Sequence, residues 1–186
     1  VNNLAKIAEL GLLVDEDIGE ENARADLFLR LASGIVRDYL EQQVSLVEDD
    51  VVELDPGDVV AFLPQFPIVE VSLVEITYDG TTWTTIDPAQ YRVNKHTGSI
   101  TNVGHWAGWA TGPSSWRVTY THGWAADAIP DTIVNAVLGL ASRSWELPIG
   151  VENERVGQRS IKYLMLDAGF LPTELIALDK YKVGKH

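Results

Sequence analysis

Three observations predict an α+β fold: a helical core of about four helices carrying an inserted antiparallel β subdomain. Apolar residues recur at three-and-four spacing in the first 43 residues and again after residue 125, whereas between them they alternate. Turn signals, Pro56-Gly57 and Asp79-Gly80 among them, punctuate the alternating stretch. Finally, a strand pattern, Trp116-Arg117-Val118-Thr119-Tyr120-Thr121, ends in His122-Gly123-Trp124 and passes into a long apolar helix, so the two kinds of structure meet there. The expected division is 1–43 for the N-terminal helices of the core, 44–124 for the β-rich insertion and 125–186 for the C-terminal helices with a contact segment.

Composition narrows the function classes. A chain of 186 residues can bury roughly 70% of its unfolded surface and needs no internal staple. Without cysteine there are neither disulfides nor thiolate metal sites. The longest uncharged apolar run, 133–141, is too short to cross a bilayer, and Lys6 and Glu9 interrupt the early apolar segment, so a soluble protein without a secretory signal or membrane partner is expected. The net charge of −13 argues against nonspecific nucleic-acid binding, which draws its affinity from cations on phosphates.

In chain order, Leu4, Ile7, Ala8 and Leu12 predict a short amphipathic helix that ends at Asp15-Glu16-Asp17. An EF-hand loop counted from Asp15 would need a ligand at its fifth place, glycine at its sixth and glutamate at its twelfth. Those places hold Gly19, Glu20 and Asp26, so a solvated connector is expected instead. A second helix over 20–43 has Ala23, Leu27, Leu31, Ile35 and Tyr39 as its expected apolar stripe. Ala32, Ser33 and Gly34 are small enough to admit a neighbouring helix, and Arg37 one turn on is either a surface arginine or half of a structural ion pair.

Strands are expected over 44–55, 59–63 and 68–78, with Asp79-Gly80 as a two-residue hairpin returning over 81–86. A second hairpin joins 91–93 to 99–101. The stretch 104–115 places Trp106 and Trp109 among glycines, an ordered loop suited to contacts. Pro130 fits the first position of the long helix, Asp131 complements its dipole, and Ile133, Val134, Val137, Leu138 and Ala141 form its expected buried face, ending before Pro148 and Gly150. A strand-like 160–163 precedes a last helix from Pro172 with Leu175, Ile176, Leu178 and Tyr181, and the basic tail that follows complements its dipole.

No catalytic motif accompanies this frame. His96, His105, His122 and His186 are scattered, with no zinc spacing, and there is no nucleophile elbow, phosphate loop or dinucleotide fingerprint. Catalytic residues, metal ligands and cofactors are therefore all expected to be absent. A hydrolase would need convergent carboxylates that the sequence does not reveal, and a carbohydrate-binding β module using Trp106 and Trp109 is the competing reading.

Three pieces carry a resemblance. They are Leu29-Arg30-Leu31-Ala32-Ser33-Gly34-Ile35-Val36-Arg37-Asp38-Tyr39; Val118-Thr119-Tyr120-Thr121-His122-Gly123-Trp124 leading to Ile129-Pro130; and Val156-Gly157-Gln158-Arg159-Ser160-Ile161-Lys162-Tyr163. In order and spacing the chain resembles the head-to-tail connector, or adaptor, proteins of long-tailed bacteriophages. The resemblance implies a structural virion protein of the neck, assembled in the host cytoplasm. It also implies a homo-oligomeric ring, a dodecamer in the virion, that binds the portal protein on one side and a tail-side connector (stopper) or tail protein on the other, with DNA passing through without sequence-specific binding. Candidate ring or portal contacts are Ser33, Gly34 and Arg37 on the small-residue helix, Trp106 and Trp109 on the loop, Val156, Gly157, Ser160, Ile161 and Tyr163 in the third piece, and Tyr181 in the last helix.

Overall fold

The computed structural model describes residues 2–56, 60–103, 110, 112–146, 153–156, 159–162 and 169–182. In chain order the elements are α1 (Ile7–Val14), α2 (Ala23–Leu40), β1 (Val47–Leu54), β2 (Val60–Phe62), β3 (Ile68–Ile76), β4 (Thr84–Thr85), β5 (Tyr91–Asn94), β6 (Ser99–Asn102), β7 (Trp116–His122), α3 (Asp131–Glu146), β8 (Asn153–Val156), β9 (Arg159–Lys162) and α4 (Pro172–Leu178). Single 3-10 turns cover Pro88–Gln90 and Asp179–Tyr181. The fold is α+β. Helices and the β8–β9 hairpin fall in one unit, formed by the chain up to Glu41 and from Ala128 onward, and β1 to β7 fall in a second, Gln42–Asp127.

In the helical unit, α1 opens with Glu9 accepting the Lys6 amide at 2.8 Å and ends where Asp15 turns left-handed, φ 55°. The chain then folds back tightly enough that a methyl group at Gly11 would come within 2.9 Å of the Glu16 carbonyl. Asn22 caps α2, its side-chain oxygen accepting the amides of Arg24 and Ala25 at 3.0 and 3.1 Å. The buried face of α2 is Ala25, Leu29, Ala32, Ser33, Val36 and Leu40. This corrects the expected stripe: Ala23, Leu27 and Leu31 are exposed, and Ile35 and Tyr39 only half-buried. A strict spacing of four advances 400° per step and drifts about 40° around the helix each time, while the buried residues, spaced 4-3-1-3-4, stay on one side.

Pro130 stands one residue ahead of α3, its carbonyl accepting the amides of Ile133 and Val134. Ile133, Ala136, Val137, Leu140 and Ala141 are buried, whereas Val134 and Leu138 flank this face half-buried. Of the third piece of the resemblance, Val156 and Arg159–Lys162 are described and belong to an antiparallel hairpin, with Asn153 opposite Lys162 and Val156 opposite Arg159.

In the β unit, β7 and β3 are the inner strands of a sheet ordered β1-β7-β3-β4, and every pairing in it is antiparallel. Strict alternation places Trp116, Val118, Tyr120 and His122 inside, which is the half-buried strand pattern of the sequence. Trp116, Val118 and Tyr120 pack with Leu54, Ile68, Val74 and Ile76 from the same sheet and with Ala61 and Ile100 from a second sheet, β2-β6-β5. The core of this unit therefore lies between two inner faces.

Two expectations are corrected here. β1 spans Val47–Leu54 and carries a bulge between Val47 and Asp50, where Asp49 takes φ 48°. Asp79-Gly80 does not close a two-residue hairpin: Ile76 pairs with Thr84, so residues 77–83 form the connection. Asp79 rules that loop instead, its carboxylate accepting the amides of Thr81 and Thr82 at 2.8 and 2.7 Å and the Thr77 hydroxyl at 3.0 Å. An Asx-type turn satisfied by one side chain outcompetes the shorter turn.

Candidate functional site

Ser33 is fully buried and its Oγ accepts the Leu4 amide at 3.0 Å. Arg37 is half-buried rather than a free surface cation: its Nη2 donates to the Asn2 carbonyl at 2.5 Å, and burial lowers its pKa from the ordinary value. Asn3 adds a bond from Nδ2 to Asp26 at 2.8 Å. Residues 2–4 are thus a strap along α2, and Ser33 and Arg37 hold it inside the helical unit. Gly34 differs from both, since a methyl group added there would meet no atom within 4 Å.

Trp106, Trp109, Gly157 and Tyr163 lie outside the described residues. Val156, Ser160 and Ile161 stand in the β8–β9 hairpin, Ser160 opposite Arg155 and Ile161 opposite Glu154. Tyr181 is half-buried on the last 3-10 turn, with Lys180 Nζ 4.7 Å from its ring centre. One residue further, Lys182 pairs with Glu41 at 3.0 Å, so a tail cation expected to serve the helix dipole is engaged by a side chain.

The His122-Gly123-Trp124 piece is a clasp within the β unit. Trp124 donates its amide to the Val44 carbonyl and accepts from Leu46, both at 2.8 Å, and the Gly123 amide donates to Pro67 at 2.9 Å. Gly123 sits at φ +88°, and a Cβ there would lie 2.4 Å from the Ser45 carbonyl oxygen. Only glycine admits that approach. The buried His122 donates from Nε2 to Asp50 at 3.1 Å. Burial, with Asp50 nearby, pushes the Tyr120 pKa well above its ordinary value, which keeps its hydroxyl protonated.

Sequence reasoning missed two side-chain clamps of the helical unit. Arg143 on α3 forms a bidentate pair with Glu174 on α4, at 3.1 and 2.9 Å, and also donates to the Gly169 carbonyl at 3.1 Å. A methyl group at Gly139 would lie 2.6 Å from the Glu174 carboxylate, so the glycine makes room for the pair. A glycine inside a strong helix was the available signal. In the second clamp, Arg24 lies 4.4 Å from the Trp145 ring centre and donates to the Trp145 carbonyl at 3.0 Å, while Trp145 Nε1 donates to Glu16 at 3.1 Å.

Two surfaces of the helical unit remain unspent. One is the α2 face with Leu27 and Leu31, 40% and 47% exposed. The other is an open groove of about 540 Å³ at the α1–α2 connection, lined by Gly11, Leu12, Asp15, Glu16, Asp17 and Glu20 among others. Among the described residues, no group of three or more His, Asp or Glu is arranged to hold a metal ion, and no helix is long and apolar enough to cross a membrane.

No protein-family model matches this sequence, and neither does any curated protein. Solved structures do match. A chain from the neck of an empty GTA particle, computed with C6 symmetry, superposes with a TM-score of 0.59 and 20% identity, covering 95% of this chain and 88% of that one. A chain from the neck of a native GTA particle, computed with C12 symmetry, gives 0.59 and 18%, covering 95% and 87%. A chain from the virion of a native gene transfer agent particle gives 0.59 and 17%, covering 95% and 88%. The helical and β units together have the fold found in the neck of gene transfer agent particles.

Proposed function

We propose that the chain is a structural, non-enzymatic virion protein, a head-to-tail adaptor whose copies form a ring in the neck. The observation that carries this reading is the shared fold with neck chains over 95% of the length. The sequence pieces that resemble adaptors support it independently, because they fall on α2, on the β7–α3 passage and on the β8–β9 hairpin. In this reading about twelve copies assemble in the host cytoplasm. The C-terminal segment from β8 to Tyr181 grips the portal protein, and the opposite side of the ring receives a stopper or tail protein. Carboxylates lining the channel of so acidic a chain would repel DNA and let it pass without sequence-specific contact.

Deleting the gene tests the reading. Filled heads and free tails should accumulate unjoined, and normal tailed particles would overturn it.

A further inference from the structure

Resting on the ring reading above, we propose that the α2 face of Leu27, Arg30 and Leu31 seats in the acid-rimmed α1–α2 groove of a second copy, so that copies add head to tail. On α2 the two leucines lie one turn apart and outward, while the buried face of the helix is filled from the other side by Ala25, Leu29, Ala32 and Val36. Arg30 stands between them in sequence, exposed, and forms no ion pair among the described residues. Gly34, with nothing within 4 Å of an added methyl group, leaves the surface clear one turn further on.

The groove offers the complementary chemistry. Leu12 projects from α1 at 86% exposure and Ile18 closes the floor almost fully buried. Asp15, Asp17 and Glu20 stand exposed around them, and among the described residues their side chains make no hydrogen bond or ion pair. Two leucines and a free cation on one surface therefore meet an apolar floor and three free carboxylates on the other.

Self-pairing is disfavoured on both sides. A two-fold contact centred on the α2 face would turn the two Arg30 side chains toward each other, and groove against groove would oppose carboxylates. Pairing unlike surfaces is heterologous, the type of contact from which a ring closes.

The chain has no cysteine, which permits a clean test by oxidative cross-linking of the full-length protein. Leu12→Cys and Leu31→Cys alter exposed side chains only. Each variant alone should stay uncross-linked, their mixture should give a covalent dimer, and the double variant should give a ladder of higher species. Dimers from Leu31→Cys alone, or no dimer from the mixture, would overturn the assignment. Sedimentation of the unaltered chain separates the two levels. A ring-sized mass with uncross-linked variants overturns only the choice of faces, whereas a 20.5 kDa monomer with uncross-linked variants overturns the faces and spontaneous ring formation together.

Discussion

The two units are held together by different means. In the β unit the long-range ties are mostly main-chain bonds: β7 between β1 and β3, and the Gly123–Trp124 clasp on residues 44–46 and Pro67. In the helical unit they are side-chain devices joining residues far apart in sequence, namely Arg143 with Glu174, Arg24 with Trp145, Tyr39 with Asp179 and Ser33 with Leu4. A backbone ladder depends little on which polar side chains cover it, so the β unit tolerates an acidic edge strand such as β1. Helices satisfy their backbone internally, and their mutual placement must come from side chains. That is also why the helical unit can leave leucines outside without loss of its own order.

The sharpest way to break this contrast is Gly123→Ala. The left-handed backbone and the 2.4 Å approach to Ser45 cannot both be kept with a Cβ, and a loss of about 3 kcal/mol in urea unfolding is expected. Wild-type stability would remove the clasp from the explanation. Next comes Arg143→Ala. It leaves Glu174 partly buried without its partner, for a loss of about 2 kcal/mol, and should be seen as earlier thermal melting of helical circular dichroism.

Gly139→Ala is a finer probe, because alanine favours a helix by about 1 kcal/mol yet its methyl group crowds the Glu174 carboxylate. If the clamp matters, the expected helix gain is lost or reversed. A full stabilisation would show that the pair moves aside at no cost.

Titration addresses the β unit alone. Backbone amides of Thr82 and Thr81 hold the Asp79 carboxyl far below its ordinary 3.8, so its contribution is complete above that value and is lost as pH falls below it. Tyr120 acts at the other end. Its raised pKa keeps stability intact below its ordinary 10.0 and loses it as pH climbs beyond. Asp79→Asn should flatten the acid limb and Tyr120→Phe the alkaline limb of stability against pH, and unchanged limbs would refute these assignments. The smallest effect on folding is expected for Leu27→Ser and Leu31→Ser, each within about 0.5 kcal/mol for the monomer. A larger loss by urea titration of the monomer would mean that these leucines support the unit itself.

Legibility in the sequence follows the same division. β7 and its neighbours were readable because alternation is a local signal with a period of two, and the start of α3 was readable to within one residue from Pro130, which directly precedes it. The α2 stripe was misread because the helix is apolar on more than one side, and a strict spacing of four follows the wrong one. Asp79-Gly80 marked a turn correctly but not its length, since the deciding bonds run from one carboxylate to three partners. Arg143 and Glu174, 31 residues apart, were announced only indirectly, by Gly139 inside an otherwise strong helix. Of the candidate contacts, Ser33 was expected to admit a neighbouring helix and Arg37 to be a surface arginine or half of an ion pair, and the strap that uses both precedes any recognisable element.

The most direct test of the neck assignment is to locate the chain in assembled particles by electron microscopy with a gold label on an affinity tag. Label at the junction of head and tail, on density with sixfold or twelvefold symmetry, is the predicted result. Label on the capsid shell or the distal end of the tail, or particles that lack the chain altogether, would contradict it.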